Sequence, residues 1–175
     1  VCTALVTPFL ENRLNTPMLR QLIRRQELAG VDALLICGTT GESAALTDTE
    51  KLELFSVSRE AIPKSVPFIA GTGSNNTAHA VALSQAAQEL GADALLVVSP
   101  YYNKATEEGL YRHYRHIAEA VSIPVILYNV PSRTGLDIPV SVYQKLAEIP
   151  NIVGVKEASA DIRKIAWTRH QCPRD

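Results

Sequence analysis

The sequence is poor in every feature that marks a specialised class of protein. Its three cysteines, Cys2, Cys37 and Cys172, are odd in number, far apart and without metal-ligand spacing. They speak for buried thiols in a reducing cytoplasm rather than for disulfides or zinc. No apolar run approaches the roughly 20 residues that span a bilayer. Neither sign of charge dominates: 17 Lys and Arg meet 18 Asp and Glu, a net charge of −1. That balance leaves no electrostatic footprint for nucleic acid or an anionic membrane surface. No leader peptide is expected, because Val1 opens directly into a strand-like stretch. Linkers and low-complexity breaks are missing too. What remains, at 175 residues and 46% hydrophobic content, is an ordinary globular chain with room for one core.

What the chain does have is a repeat. Apolar runs recur at Ala4–Val6, Ala33–Ile36, Phe68–Ala70, Ala94–Val98, Val125–Tyr128 and Ile152–Val155. Their spacing of about thirty residues is the length of one βα unit. The runs are continuously apolar, as parallel strands covered on both faces require. Pro67, Pro124 and Pro150 precede three of them, where a missing N–H does no harm.

Helices with readable ends lie between the runs. Thr16 and Pro17 predict a start that Gly30 closes, and Thr47 with Glu50 predicts a capping box. Thr77 opens a helix ended by Gly91. Thr106 caps the next, which sets Leu110, Tyr114, Ile117, Ala118 and Val121 on one face. A fifth is expected near 140–148 and a sixth from about Asp161. Strict alternation predicts a parallel α/β fold, either an open doubly wound sheet or a (β/α)8 barrel. Polar clusters directly after five strands favour the barrel, which collects all strand ends on one rim.

Each cluster admits a plain reading and a chemical one. Gly38-Thr39-Thr40-Gly41-Glu42 is either a tight turn or a small-anion site. It lacks the lysine of a phosphate loop and the spacing of a dinucleotide fingerprint. Lys156, at the end of the sixth run, is either ion-paired with Glu157 or another acid, or an amine of lowered pKa that forms a Schiff base. Tyr101, Tyr102 and Tyr128 fall at strand ends, as packed rim residues or as proton carriers. Arg133 is a solvated loop charge or a fork for a carboxylate. His79, His113, His116 and His170 lie on helices and read as surface residues. His113 and His116 share a helical face, but two ligands without a third do not make a metal site.

Taken in order, GTTGE, GTGSN, PYYN, YNVPSRTG and VGVKEAS resemble the dihydrodipicolinate synthase family of the pyruvate-dependent class I aldolase and N-acetylneuraminate lyase superfamily. The resemblance runs from Thr3 to about Ile165. It implies condensation of pyruvate with L-aspartate-4-semialdehyde to 4-hydroxy-tetrahydrodipicolinate, on the route to diaminopimelate and lysine. Lys156 would carry the imine. Thr39 would link two tyrosines in a proton relay and, with Thr40, hold the pyruvate carboxylate. Tyr128 would move protons, and Tyr102 would complete the relay by reaching a neighbouring subunit across a tight dimer of a homotetramer. Arg133 would receive the semialdehyde carboxylate. No metal, flavin or nicotinamide is implied. Ser43, Ala44, Asn75 and Tyr101 match the family's positions for a lysine effector. Lys51 and His79 depart from them, which implies weak lysine feedback.

Thr40, Arg133 and the YYN ending resemble the synthase branch rather than the sialic-acid and keto-deoxy sugar acid branches. A barrel of this kind typically takes about 250 residues. The expectation is therefore a partial (β/α)8 barrel over 1–175, with strands 1 to 6 and helices 1 to 6. Such a piece could act as a lyase or could be an inactive truncated barrel with exposed strand edges.

Overall fold

A computed structural model describes residues 1–172, so the last three of the expected 1–175 span lie outside the described residues. Strand β1 (Cys2–Ala4) and a hairpin of β2 (Phe9–Leu10) and β3 (Arg13–Leu14) precede helix α1 (Thr16–Leu28). Strand β4 (Ala33–Ile36) runs through two single-turn 3₁₀ helices, Thr39–Gly41 and Ser43–Ala45, into α2 (Asp48–Ala61). Then come β5 (Phe68–Gly71), α3 (Thr77–Glu89), β6 (Ala94–Val98) and α4 (Glu107–Glu119). The described chain closes with β7 (Val125–Asn129), α5 (Pro131–Thr134), α6 (Val140–Leu146), β8 (Ile152–Glu157) and α7 (Ile162–Gln171). Six strands form one sheet in chain order, β1-β4-β5-β6-β7-β8. The α/β alternation is the one the repeat predicts. The hairpin is not: its turn residues Glu11 and Asn12 adopt φ of 49° and 61° without a glycine to announce them.

Contacts divide the chain into two units, the first comprising Val1–Thr72 with Leu83–Leu95. Here β4 pairs in parallel with β1 (Thr3↔Leu34) and with β5 (Leu34↔Phe68), without a register shift. Leu34 and Phe68 are fully buried, as are Ile23 of α1 and Phe55 of α2. The Phe55 and Phe68 rings lie 6.0 Å apart, tilted, so α2 covers the strand through an aromatic contact. The expected capping box of α2 is present: Glu50 N–H donates to Thr47 Oγ1, and Thr47 N–H donates to Glu50 Oε2 at 2.7 Å. The start of α1 is shifted by one residue. Asn15 is its cap, accepting from Met18 N–H at 3.1 Å, and Thr16 is already helical. Asparagine outcompetes threonine there because its carbonyl reaches the free N–H groups of the first turn.

The second unit comprises Gly73–Ala82 and the chain from Leu96 onward. Leu110, Tyr114, Ile117 and Ala118 of α4 are buried on one face, as the periodicity predicts. His113 is buried with them, which corrects its reading as a surface residue. Position 113 sits three residues from Leu110 and four from Ile117, squarely on the apolar stripe. Its Nδ1 hydrogen-bonds Thr77 Oγ1 at 2.9 Å, and burial pulls its pKa down from the ordinary 6.5 to about 4. His116, one turn further on, is exposed.

Asp161 caps α7 through Arg163 N–H and Lys164 N–H. That helix leaves Ile162, Ile165 and Trp167 exposed, and the Trp167 ring lies 5.6 Å from that of His170. An apolar cavity of about 300 Å³, lined by residues including Leu127, Ile152, Val155 and Ile165, lies beside β8. The cysteine expectation holds for one thiol of three: Cys37 is buried, Cys2 exposed and Cys172 half-buried. Burial pushes the Cys37 thiol up to about 12. Among the described residues, no helix is long and apolar enough to cross a membrane.

Candidate active site

The β7–β8 ladder brings together the polar residues that end two strands of the second unit. Val125 pairs with Ile152, but Ile126 pairs with Gly154, so Val153 is an extra residue on β8. This bulge moves every later pair by one. Tyr128 therefore stands opposite Lys156, and Asn129 opposite Glu157. Registered neighbours on parallel strands present their side chains to the same face, and successive residues alternate. Tyr128 and Lys156 share one face; Asn129 and Glu157 share the other. The Lys156 Nζ lies 4.3 Å from the centroid of the Tyr128 ring, which is buried, whereas Lys156 itself is exposed. An ammonium over a phenol face is held by the ring quadrupole without being locked to a counter-ion.

Glu157 turns away from Lys156 to other partners, so it is not the acid of the ion pair that their adjacency in sequence suggests. Its Oε1 accepts from Asn129 Nδ2 at 2.8 Å and from Ser159 N–H at 3.0 Å. Its Oε2 accepts from Tyr143 OH at 2.8 Å, with Lys164 Nζ at 3.8 Å. Asn129 is fully buried; its second N–H donates to Asp137 Oδ1 at 2.7 Å, and its Oδ1 accepts from Ile138 N–H at 3.1 Å. Lys164 also ion-pairs Asp137. Burial, reinforced by the bond to Glu157, drives the Tyr143 phenol far above its ordinary range, so it remains a donor. The importance of Asn129, Tyr143, Asp137 and Lys164 was not apparent from the sequence. The polar residues that close two neighbouring strands, Tyr-Asn and Lys-Glu, were the available signal.

The loops of this unit place further expected residues. Arg133 is exposed on α5, a single turn that ends at Gly135 with φ of 70°. Thr134 holds this turn through its hydroxyl, which donates its one proton to Leu136 O at 2.9 Å with Val130 O as the alternative acceptor at 3.2 Å. Tyr102 is 94% exposed with φ of 73°, a left-handed backbone rarely adopted by an aromatic residue. Its ring therefore projects from the unit instead of packing into it. Asn75 and Tyr101 are brought together, since Asn75 Nδ2 donates to Tyr101 O at 3.2 Å. Asn103 Nδ2 donates to Asn75 O at 3.4 Å and reinforces the same corner. His79 hydrogen-bonds Ser74 Oγ through Nδ1 at 3.1 Å.

Thr39 and Thr40 belong to the first unit, exposed on the 3₁₀ turn that follows β4. Thr7 Oγ1 fixes that turn by donating to Gly41 O at 2.7 Å. Gly71 lets β5 back onto its base: a Cβ there would lie 2.1 Å from Cys37 O. Ser43 and Ala44 follow on the second 3₁₀ turn, and Lys51 of α2 ion-pairs Asp48 at 3.5 Å.

Comparisons with known proteins give one consistent answer. The model of the dihydrodipicolinate synthetase family matches residues 1–175. The 4-hydroxy-tetrahydrodipicolinate synthase of Acetivibrio thermocellus is 50% identical over 172 residues, 98% of this chain but 58% of that protein. The solved 4-hydroxy-tetrahydrodipicolinate synthase of Methylacidiphilum fumariolicum superposes with a TM-score of 0.97 at 40% identity, covering 98% of this chain and 58% of that one. A dihydrodipicolinate synthase from Acinetobacter baumannii, solved with pyruvate, gives 0.95 at 44% identity over 98% and 59%. The chain thus spans a little under three fifths of the length of the relatives it matches. Their fold covers it almost from end to end.

Proposed function

The chain belongs to the dihydrodipicolinate synthetase family, and from that premise we propose that it supplies the Schiff-base machinery of a lyase condensing pyruvate with L-aspartate-4-semialdehyde. The carrying observation is the Lys156 amine seated over the buried Tyr128 ring by ladder register. In this reading the neutral amine attacks C2 of pyruvate, and the carbinolamine loses water to give the imine. Loss of a methyl proton then yields an enamine whose carbon adds to the semialdehyde aldehyde. Attack of the semialdehyde amine on the imine carbon closes the ring and releases Lys156, giving 4-hydroxy-tetrahydrodipicolinate. Tyr128 stands beside the amine to carry protons through these steps, with Thr39 and Tyr102 completing the relay. Thr39 and Thr40 offer hydroxyls to the pyruvate carboxylate, and Arg133 offers a guanidinium to that of the semialdehyde.

The projecting Tyr102 supports a reading in which it serves a neighbouring subunit, within a tight dimer of a cytoplasmic homotetramer. No cofactor enters this chemistry. Incubation with pyruvate and borohydride tests the central step: mass spectrometry is expected to find a reduced adduct on Lys156 and none after Lys156→Ala. A folded chain that gives no adduct refutes the proposal. The corner of Asn75 and Tyr101, with Ser43 and Ala44, carries the lysine-effector reading. His79 stands where a cationic effector needs a carboxylate, and Lys51 adds a positive group, so lysine is a weak or absent inhibitor in this reading. Strong inhibition of turnover by sub-millimolar lysine contradicts that.

A further inference from the structure

The bulge in β8 raises a mechanical question. Among the described residues β8 pairs with β7, and a single inserted residue sets their register. A slip of one residue exchanges the two faces of a strand. Without the extra Val153, continuation from the Val125↔Ile152 pair would set Tyr128 opposite Val155 and Asn129 opposite Lys156. The amine would then share a face with the amide and lose its seat over the phenol. The seat of Lys156 over Tyr128 thus depends on one register out of two adjacent alternatives, set by the bulge and by the contacts that hold the last pairs of the ladder.

We propose that Glu157 is that positioning residue: through Asn129 on the opposite face, it locks the ends of β7 and β8 so that Lys156 stays over Tyr128. The inference rests on the imine reading given above. Its geometry is a closed set of bonds. Asn129 spends both N–H groups and its carbonyl within the cluster, on Glu157, Asp137 and Ile138 N–H, and therefore has one orientation. Glu157, its side chain 7% exposed, receives Asn129 and Ser159 N–H on one oxygen and Tyr143 on the other.

The Tyr143 bond reaches from α6 and the Lys164 contact from α7, so two helices fix the strand end from outside the sheet. In the slipped register Asn129 would meet Lys156 instead of Glu157, leaving a buried carboxylate short of a donor, which is costly. Glu157 touches no reacting atom in this arrangement. It acts through the strand that bears Lys156, one residue away.

The test is the rate of borohydride-trapped pyruvate adduct on Lys156 of the 175-residue chain, followed against pyruvate concentration. Glu157→Gln keeps the volume and one acceptor oxygen but cannot serve all the donors, and is expected to lower the limiting rate about tenfold. Half-saturating pyruvate should change less than about twofold, because the carboxylate donors are elsewhere. Tyr143→Phe removes a single donor from Glu157 with little change in packing. It is expected to lower the same rate about threefold, and it decides the matter alone if Glu157→Gln does not fold.

Limiting rates equal to the unaltered chain in folded variants overturn the positioning role and leave the imine reading standing. So does a loss expressed only as weaker pyruvate saturation. No adduct on the unaltered folded chain overturns both.

Discussion

The β4–β5 and β7–β8 ladders are built from the same kind of strand and do different work. In the first, Leu34, Leu35 and Ile36 meet Phe68, Ile69 and Ala70 in unbroken register, and five of the six side chains are buried. In the second, one residue is inserted, and the closing pairs are Tyr128 with Lys156 and Asn129 with Glu157. The regular ladder contributes stability by removing apolar surface from water on both faces. The irregular one gives up unbroken register and sets an amine beside a phenol.

Substitutions should separate the two ladders, and the largest effect is on chemistry without stability. Lys156→Ala, which should abolish the proposed pyruvate adduct, should change the stability measured by denaturant unfolding by no more than about 0.5 kcal/mol, because the side chain is exposed. Phe68→Ala does the reverse. It empties a fully buried site against Phe55 and should cost about 3–5 kcal/mol in urea unfolding, with the trapped fraction of the remaining folded protein unchanged. A chain that loses both properties together in either variant would erase the distinction.

Acid and base should then act on different buried groups, with the Tyr143 phenol of the second unit adding to the alkaline side above its ordinary 10.0. His113 of the second unit titrates in the folded state at about 4 instead of 6.5, so its stabilising contribution is complete above 6.5 and is lost as pH falls through 4. Cys37 of the first unit is raised from 9.0 to about 12, so its contribution is complete below 9.0 and is lost as pH rises towards 12. Each group should contribute a slope of about 1.4 kcal/mol per pH unit. His113→Phe should remove that slope between 6.5 and 4 and Cys37→Ala that from 9.0 upward, both measured by denaturant titration across pH.

The difference between the ladders also decides how far the fold could be read from residues alone. Continuous apolar runs announced β4 and β6 at their observed bounds, and Thr47, Thr106 and Asp161 announced three helix starts. The first strand ends at Ala4 and not at Val6, although Leu5 N–H still reaches Leu35 O at 3.0 Å. The β2–β3 hairpin has strands of two residues, too short for any period to show. Lys156 and Tyr128 were visible as unusual residues at strand ends, and the family motifs singled them out. Their opposition was not, because it depends on a bulge that only pairing reveals.

The Asn129–Glu157 bond was equally hidden: it joins residues 28 apart, and Glu157 beside Lys156 in sequence suggested an ion pair that strand alternation forbids. His113 could have been placed in the core, since its helical position falls on the same stripe as Leu110 and Ile117.

The exposed side of α7 has an optical consequence. Trp167 is the one tryptophan of the chain, and it is 56% exposed on a helix of the second unit beside the His170 ring. Indole emission, excited apart from the six tyrosines, therefore carries a signal from that helix alone. The first unit holds no tryptophan, so its melting is followed by backbone circular dichroism. Any polypeptide that comes to lie over Ile162, Ile165 and Trp167 will shift the emission to the blue. A single native chromophore thus serves as a gauge of whether that face is wet or dry.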